Sequence, residues 1–137
     1  NTLTQRCFRT NKNEVIVKMN IEGIVDGQKA GLCHYSKSYA MVGVRQSGKD
    51  RNLEFQTNKE KITGPAIKGN KVWIKSVWGL DGKSQFSYST DGRKFTPFGE
   101  VYQLEWGYYR GSRIGIYCFN NIADAGYIDV DEFIYLY

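Results

Sequence analysis

The sequence predicts an all-β chain folded as a two-sheet antiparallel β-sandwich, and three observations carry that expectation. Apolar residues alternate with polar ones over short runs, turn residues recur at sandwich-like intervals, and no pattern of helical period runs for any length. The 137 residues make one domain, 1–137, long enough to bury a core without a disulfide or metal staple. No linker, internal repeat or low-complexity stretch divides it.

Taken in order, strands are expected over Thr2 to Phe8, Glu14 to Ile21, Lys29 to Tyr35, Tyr39 to Arg45, Arg51 to Thr57, Lys71 to Trp78, Gln85 to Ser89, Arg113 to Phe119 and Tyr127 to Tyr135. Between them fall Asp26-Gly27, Ser47-Gly48-Lys49-Asp50, Gly69-Asn70, Asp81-Gly82 and Asp91-Gly92, residues that tolerate the positive φ of tight turns. The segment from Phe86 to Gly99 reads as two short strands joined at Asp91-Gly92, with Phe86 and Tyr88 on one face and Ser87 and Ser89 on the other. Alternation assigns Val15, Val17, Met19 and Ile21 to the core, with Ala40, Val42 and Val44, and Val72 with Ile74. Phe55, Phe86, Tyr88 and Phe133 fall in the same register.

The outward face of the Lys71 strand carries Trp73 and Lys75, and that of the Arg113 strand carries Tyr117 and Phe119, so large aromatics stand where a half-buried sheet should be polar. Glu105 to Arg110 is the densest aromatic loop, and Trp78 follows a strand end. Sugar rings are held by flat aromatic faces with amide, hydroxyl or guanidinium donors around the rim. The opposing reading is that many of these aromatics are core, since Trp is commonly well buried.

The three cysteines, Cys7, Cys33 and Cys118, lack any Cys-x-x-Cys spacing, which favours free buried thiols over zinc ligands, a disulfide or a reactive role. A nucleophilic pair from Cys33 and His34 fails because adjacent strand residues point to opposite faces. The net charge of +5 raises nucleic acid as a partner. However, residues 49–75 hold seven basic residues against three acidic ones, only +4 spread over several turns, with no RNP-like or helix-turn-helix pattern. The apolar runs are far shorter than the ~20 residues of a membrane span. Neither nucleic acid nor membrane is therefore expected as a partner.

One family carries the motifs Asn1-Thr2-Leu3-Thr4-Gln5-Arg6, Lys29-Ala30-Gly31-Leu32, Tyr39-Ala40-Met41-Val42-Gly43-Val44, Phe86 to Gly99, Tyr109 to Tyr117 and Gly126 to Phe133 in this order. The chain resembles the concanavalin A-like β-sandwich, a jelly roll, found C-terminal to family 43 glycoside hydrolases of the β-xylosidase and arabinofuranosidase group. The resemblance implies a non-catalytic module of a longer enzyme, with a secreted or cell-surface bacterial setting. Its implied partners are xylan or a xylo-oligosaccharide and the catalytic domain of the same parent chain.

The expected function is binding of xylan or a related plant polysaccharide, which would target an attached hydrolase to it. Trp73, Trp78, Trp106, Tyr108, Tyr109 and Tyr117 are the stacking candidates, and Gln85, Arg110 and Arg113 the rim donors. The alternative is a structural accessory that packs on the catalytic propeller without holding sugar. Asp129 and Asp131 admit three readings: paired catalytic carboxylates on one strand face, ligands of a structural calcium, or solvated edge-strand charges, the last being favoured. No cofactor is otherwise expected.

Overall fold

The computed structural model describes residues 2–105, 111–123 and 125–137. They form β1 (Thr2–Arg6), β2 (Asn13–Asn20), β3 (Gln28–Tyr35), β4 (Tyr39–Ser47), β5 (Asp50–Thr57), β6 (Lys61–Ala66), β7 (Lys71–Trp78), β8 (Lys83–Ser89), β9 (Thr96–Pro97), β10 (Tyr102–Gln103), β11 (Arg113–Asn120) and β12 (Asp129–Leu136). The first sheet runs β1-β11-β3-β4-β5-β6 and the second β10-β8-β7-β2-β12, with β9 paired to β8. Every pairing is antiparallel. The chain is thus the all-β sandwich its alternation predicts.

The core lies between the sheets, and the expected sets fill it. Val15, Val17 and Met19 of β2, Ala40, Val42 and Val44 of β4, and Val72 and Ile74 of β7 are all fully or almost fully buried. Each such aliphatic side chain contributes about 1.5–3 kcal/mol of transfer free energy. Phe55 and Phe86 are buried beside them, and Tyr88 and Phe133 pack against the cluster from its margin. Gly27, Gly48, Gly82 and Gly92 take positive φ at four of the turns predicted from Asp-Gly or Ser-Gly.

Two strands were absent from the sequence expectation. β6 contains Gly64-Pro65, which reads as a break, yet it is the edge strand of the first sheet. Its pairing to β5 bulges between Asn52 and Glu54, opposite Ala66 and Thr63, so the proline falls in the irregular stretch where a missing N–H does little harm. β10 is two residues long, too short for alternation to reveal.

Candidate functional site

Among the described residues, those proposed from sequence as one sugar platform do not converge. Trp73 and Gln85 lie on the outward face of the second sheet, whereas Arg113 and Tyr117 lie on the outward face of the first. Trp78 is corrected outright: it ends β7 on the core side, 2% exposed, with its indole N–H donating to the Phe8 carbonyl at 3.0 Å. Parity on β7 explains this, because Val72, Ile74, Ser76 and Trp78 all point the same way. Trp106, Tyr108, Tyr109 and Arg110 lie outside the described residues.

Trp73 does face outward, half-buried. Lys18 Nζ stands 5.4 Å from its ring centroid, and the Asp91-Gly92 turn closes on it so tightly that a Cβ on Gly92 would come within 2.8 Å of the indole. Gln85 donates to the backbone carbonyl of Phe86, and Arg113 donates through Nε and Nη2 to Thr4 Oγ1. These donors are engaged locally.

Asp129 and Asp131 are exposed on β12, where the pairing to β2 bulges between Val130 and Glu132. Among the described residues, no three His, Cys, Asp or Glu side chains gather as metal ligands.

A different constellation crosses the outward face of the first sheet. The register places Tyr117, Gly31, Gly43, Glu54 and Thr63 in one row across β11, β3, β4, β5 and β6, and sets Lys29 directly opposite Arg45 in the next. Two cations facing each other across a strand pair repel. Glu54 resolves the conflict: Oε1 lies 2.7 Å from Lys29 Nζ, and Oε2 lies 3.3 Å from Arg45 Nη1. Lys29 also donates to Gln56 Oε1 at 2.8 Å, and Gln56 Nε2 donates to Tyr39 Oη at 3.3 Å.

A polar ladder therefore runs Tyr39, Gln56, Lys29, Glu54, Arg45. Lys29 is 5% exposed and Glu54 6%, although both point away from the core. Charges so far out of water persist only when paired and hydrogen-bonded, and these are.

The glycines set the shape of this face. A Cβ on Gly43 would stand 2.5 Å from Tyr117 Oη and would collide with the Ala30 carbonyl oxygen, so only glycine lets the tyrosine lie across the neighbouring strands. Tyr117 is consequently outward, as its register predicted, yet 6% exposed, which corrects its role as an open stacking platform. Burial, reinforced by Cys33 and Glu54 nearby, pushes its hydroxyl pKa well above the ordinary tyrosine value.

A cleft opens at each end of the ladder. One, of ≈ 560 Å³, is bordered by Tyr39, Asn58, Lys59, Tyr102, Gln103 and Glu105. The other, of ≈ 150 Å³, is bordered by Arg45, Ser47, Asn52, Glu54 and Thr63. An aromatic ring, two amides and charged hydrogen-bonding groups around one depression match what a hydroxylated ligand needs. Sequence reasoning missed Tyr39, Lys29, Glu54 and Gln56. Their signal, charged or amide residues within otherwise apolar strands, acquires meaning only once β3, β4 and β5 are known to be neighbours.

The second constellation of chemical interest is sealed inside. His34 is fully buried, with Nε2 2.7 Å from Ser76 Oγ and 3.1 Å from Ser84 Oγ, and Nδ1 3.5 Å from Cys7 Sγ. Tyr102 stacks on the imidazole and Trp78 meets it edge-on. The group is a buried polar network in the core. As parity predicted, Cys33 points away from His34, and the three cysteines are free thiols. Burial pushes the thiols of Cys7 and Cys33 up to about 12, which leaves them protonated and unreactive.

Burial also holds the His34 imidazole down at about 3, against an ordinary 6.5. Below pH 6.5 the unfolded chain takes up a proton that the folded chain refuses until about pH 3. Stability should therefore fall as pH drops across that window, by up to about 1.4 kcal/mol per pH unit from this one proton. Urea denaturation of the native chain and His34→Leu between pH 7.5 and 5 checks it, with the steeper loss expected in the native chain.

Comparison with known proteins gives the sandwich its relatives. The family model described as the β-xylosidase C-terminal concanavalin A-like domain matches residues 1–136. A β-xylosidase of Formosa agariphila is 32% identical over 139 residues, covering 100% of this chain and 23% of that protein. Among solved structures, a bifunctional GH43-CE protein of Bacteroides eggerthii superposes with a TM-score of 0.89 at 23% identity, over 99% of this chain and 19% of the other. An engineered GH43 glycoside hydrolase with endo-xylanase and exo-arabinofuranosidase activity superposes at 0.86 and 23% identity, over 98% and 30%. The chain spans less than a third of any of these proteins, and the two superpositions speak to the fold alone. With the family model covering all but its last residue, the chain belongs to the concanavalin A-like C-terminal domains of GH43 β-xylosidases, the non-catalytic part of enzymes whose propeller is N-terminal.

Proposed function

We propose that this accessory module holds a xylan-type chain across the outward face of its first sheet and so keeps an attached GH43 catalytic domain on its substrate. The observation that carries the reading is the polar ladder from Tyr39 to Arg45, which joins two clefts over a glycine-lined sheet. The buried Lys29–Glu54 pair holds the half-buried Tyr39, Gln56 and Arg45 in place, and these present the polar and aromatic edges a sugar can meet, Tyr39 at the wider cleft. Weak binding suffices, because tethering converts it into a high local concentration of substrate. Affinity electrophoresis through arabinoxylan gels tests the reading. Retardation of the native chain is expected, with Tyr39→Ala and Gln56→Ala each losing most of it while remaining folded; equal mobility in gels with and without polysaccharide would overturn it.

A docking role on the catalytic domain has its own support. Ile134 and Leu136 are large apolar residues left exposed along β12, with Tyr137 exposed just beyond it. On this reading the band is an interface, and the isolated module should self-associate through it. Size-exclusion chromatography of the native chain and an Ile134→Lys, Leu136→Lys double variant checks this, with the variant expected to elute as the smaller species.

A further inference from the structure

The charges of the ladder do not balance, and the excess lies at one end. Lys29 and Arg45 bring two positive charges to a single carboxylate, Glu54, which leaves a net +1 (two cations minus one anion). Glu54 has each oxygen committed, Oε1 to Lys29 and Oε2 to Arg45. The two cations are not held alike. Lys29 is buried, with a short 2.7 Å contact and a second bond to Gln56, whereas the Arg45 side chain is 42% exposed and reaches Glu54 only through Nη1 at 3.3 Å. Among the described residues, Arg45 Nε and Nη2 have no acceptor.

Arg45 borders the ≈ 150 Å³ cleft, whose other walls are Ser47, Asn52, Leu53, Thr63 and Glu54, the last with its carboxylate charge offset by the two cations. The nearby Arg51 is already committed to Gln46 and Asn70. A guanidinium is planar and presents its donors as a fork that matches a carboxylate. The cleft is too small for a sugar ring with its neighbours but admits one substituent.

We infer that the cleft beside Arg45 is a subsite for a carboxylate carried on the polysaccharide, that is, a uronic acid branch. The inference rests on the reading of this face as the polysaccharide site and adds to it a preference for acidic over neutral chains. The ion pair would form partly in solvent, so its contribution is modest: about fivefold in affinity, and smaller at high salt.

Glucuronoxylan and the same polymer with its carboxyl groups chemically reduced to hydroxymethyl groups isolate the charge. Affinity electrophoresis of the full chain should show about fivefold tighter binding to the acidic form, a ratio that falls toward one in 0.5 M salt. Arg45→Gln should bring the ratio to about one, and Arg45→Lys, which keeps the charge without the fork, should fall between. Lys29 still pairs with Glu54 in both variants, so the fold does not depend on the substitution. Equal binding of both polymers by the native chain would overturn the carboxylate subsite while leaving polysaccharide binding intact. A preference retained in Arg45→Gln would overturn it equally. Failure to bind either polymer would overturn both readings.

Discussion

Glu54→Ala should destabilise the module by about 3–5 kcal/mol, the usual consequence of stranding a buried charge without its partner. Glu54 and Lys29 are both nearly inaccessible and 2.7 Å apart, so removing the carboxylate leaves an ammonium held among Gln56, Arg45 and the β3 backbone with one neutral acceptor. The loss is a large share of the 5–15 kcal/mol that stabilises a typical domain. Replacing both partners separates pairing from position. A Lys29→Met, Glu54→Leu double variant, which removes the charges and keeps the volume, should fall within about 1 kcal/mol of the native chain. Chemical denaturation of the three proteins reads both numbers. A single variant within about 1 kcal/mol of native would mean that Lys29 finds water or another anion, and that the ladder is looser than its distances imply.

Trp78→Ala should cost about 3–5 kcal/mol, whereas Trp73→Ala should cost far less, although the two residues sit five apart on one strand. Trp78 fills the core between His34 and Tyr135, with ring centroids 5.2 and 5.7 Å away, and its indole N–H ties the segment after β1 to the second sheet. Its loss opens a cavity and leaves the Phe8 carbonyl without a donor. Trp73 covers only the outward face beside Lys18 and the Gly92 turn. Thermal or urea unfolding of both variants gives the comparison, and similar losses would show that Trp73 is more deeply packed than its half-buried position indicates. The same pair bears on function: with the ladder on the opposite sheet, folded Trp73→Ala should bind arabinoxylan like the native chain.

The fold was legible where one property repeats at period two. Val15, Val17 and Met19 announce a core face because they alternate with Ile16 and Lys18 and are flanked by Glu14 and Asn20, and the Asp-Gly turns name their own backbone conformations. Trp78 was legible too, had its parity with Val72 and Ile74 been weighed against its place at the strand end. The ladder was not. β11 inserts between β1 and β3, and the burial of Lys29 depends on Glu54, two strands and 25 positions away. Tyr117 lay on the face its register predicted, but its burial is a product of glycines on strands far from it in sequence. Pairing order, more than propensity, decides where such residues end up.

The most direct test of the sheet-face reading is an amide chemical-shift titration of the isotopically labelled chain with xylohexaose, a neutral probe that does not depend on the Arg45 subsite. The account predicts saturable shifts at Lys29, Tyr39, Glu54 and Gln56 on β3, β4 and β5, with β12 undisturbed. Shifts confined to β12 or to the Trp73 face, or no shifts at millimolar ligand, would contradict it.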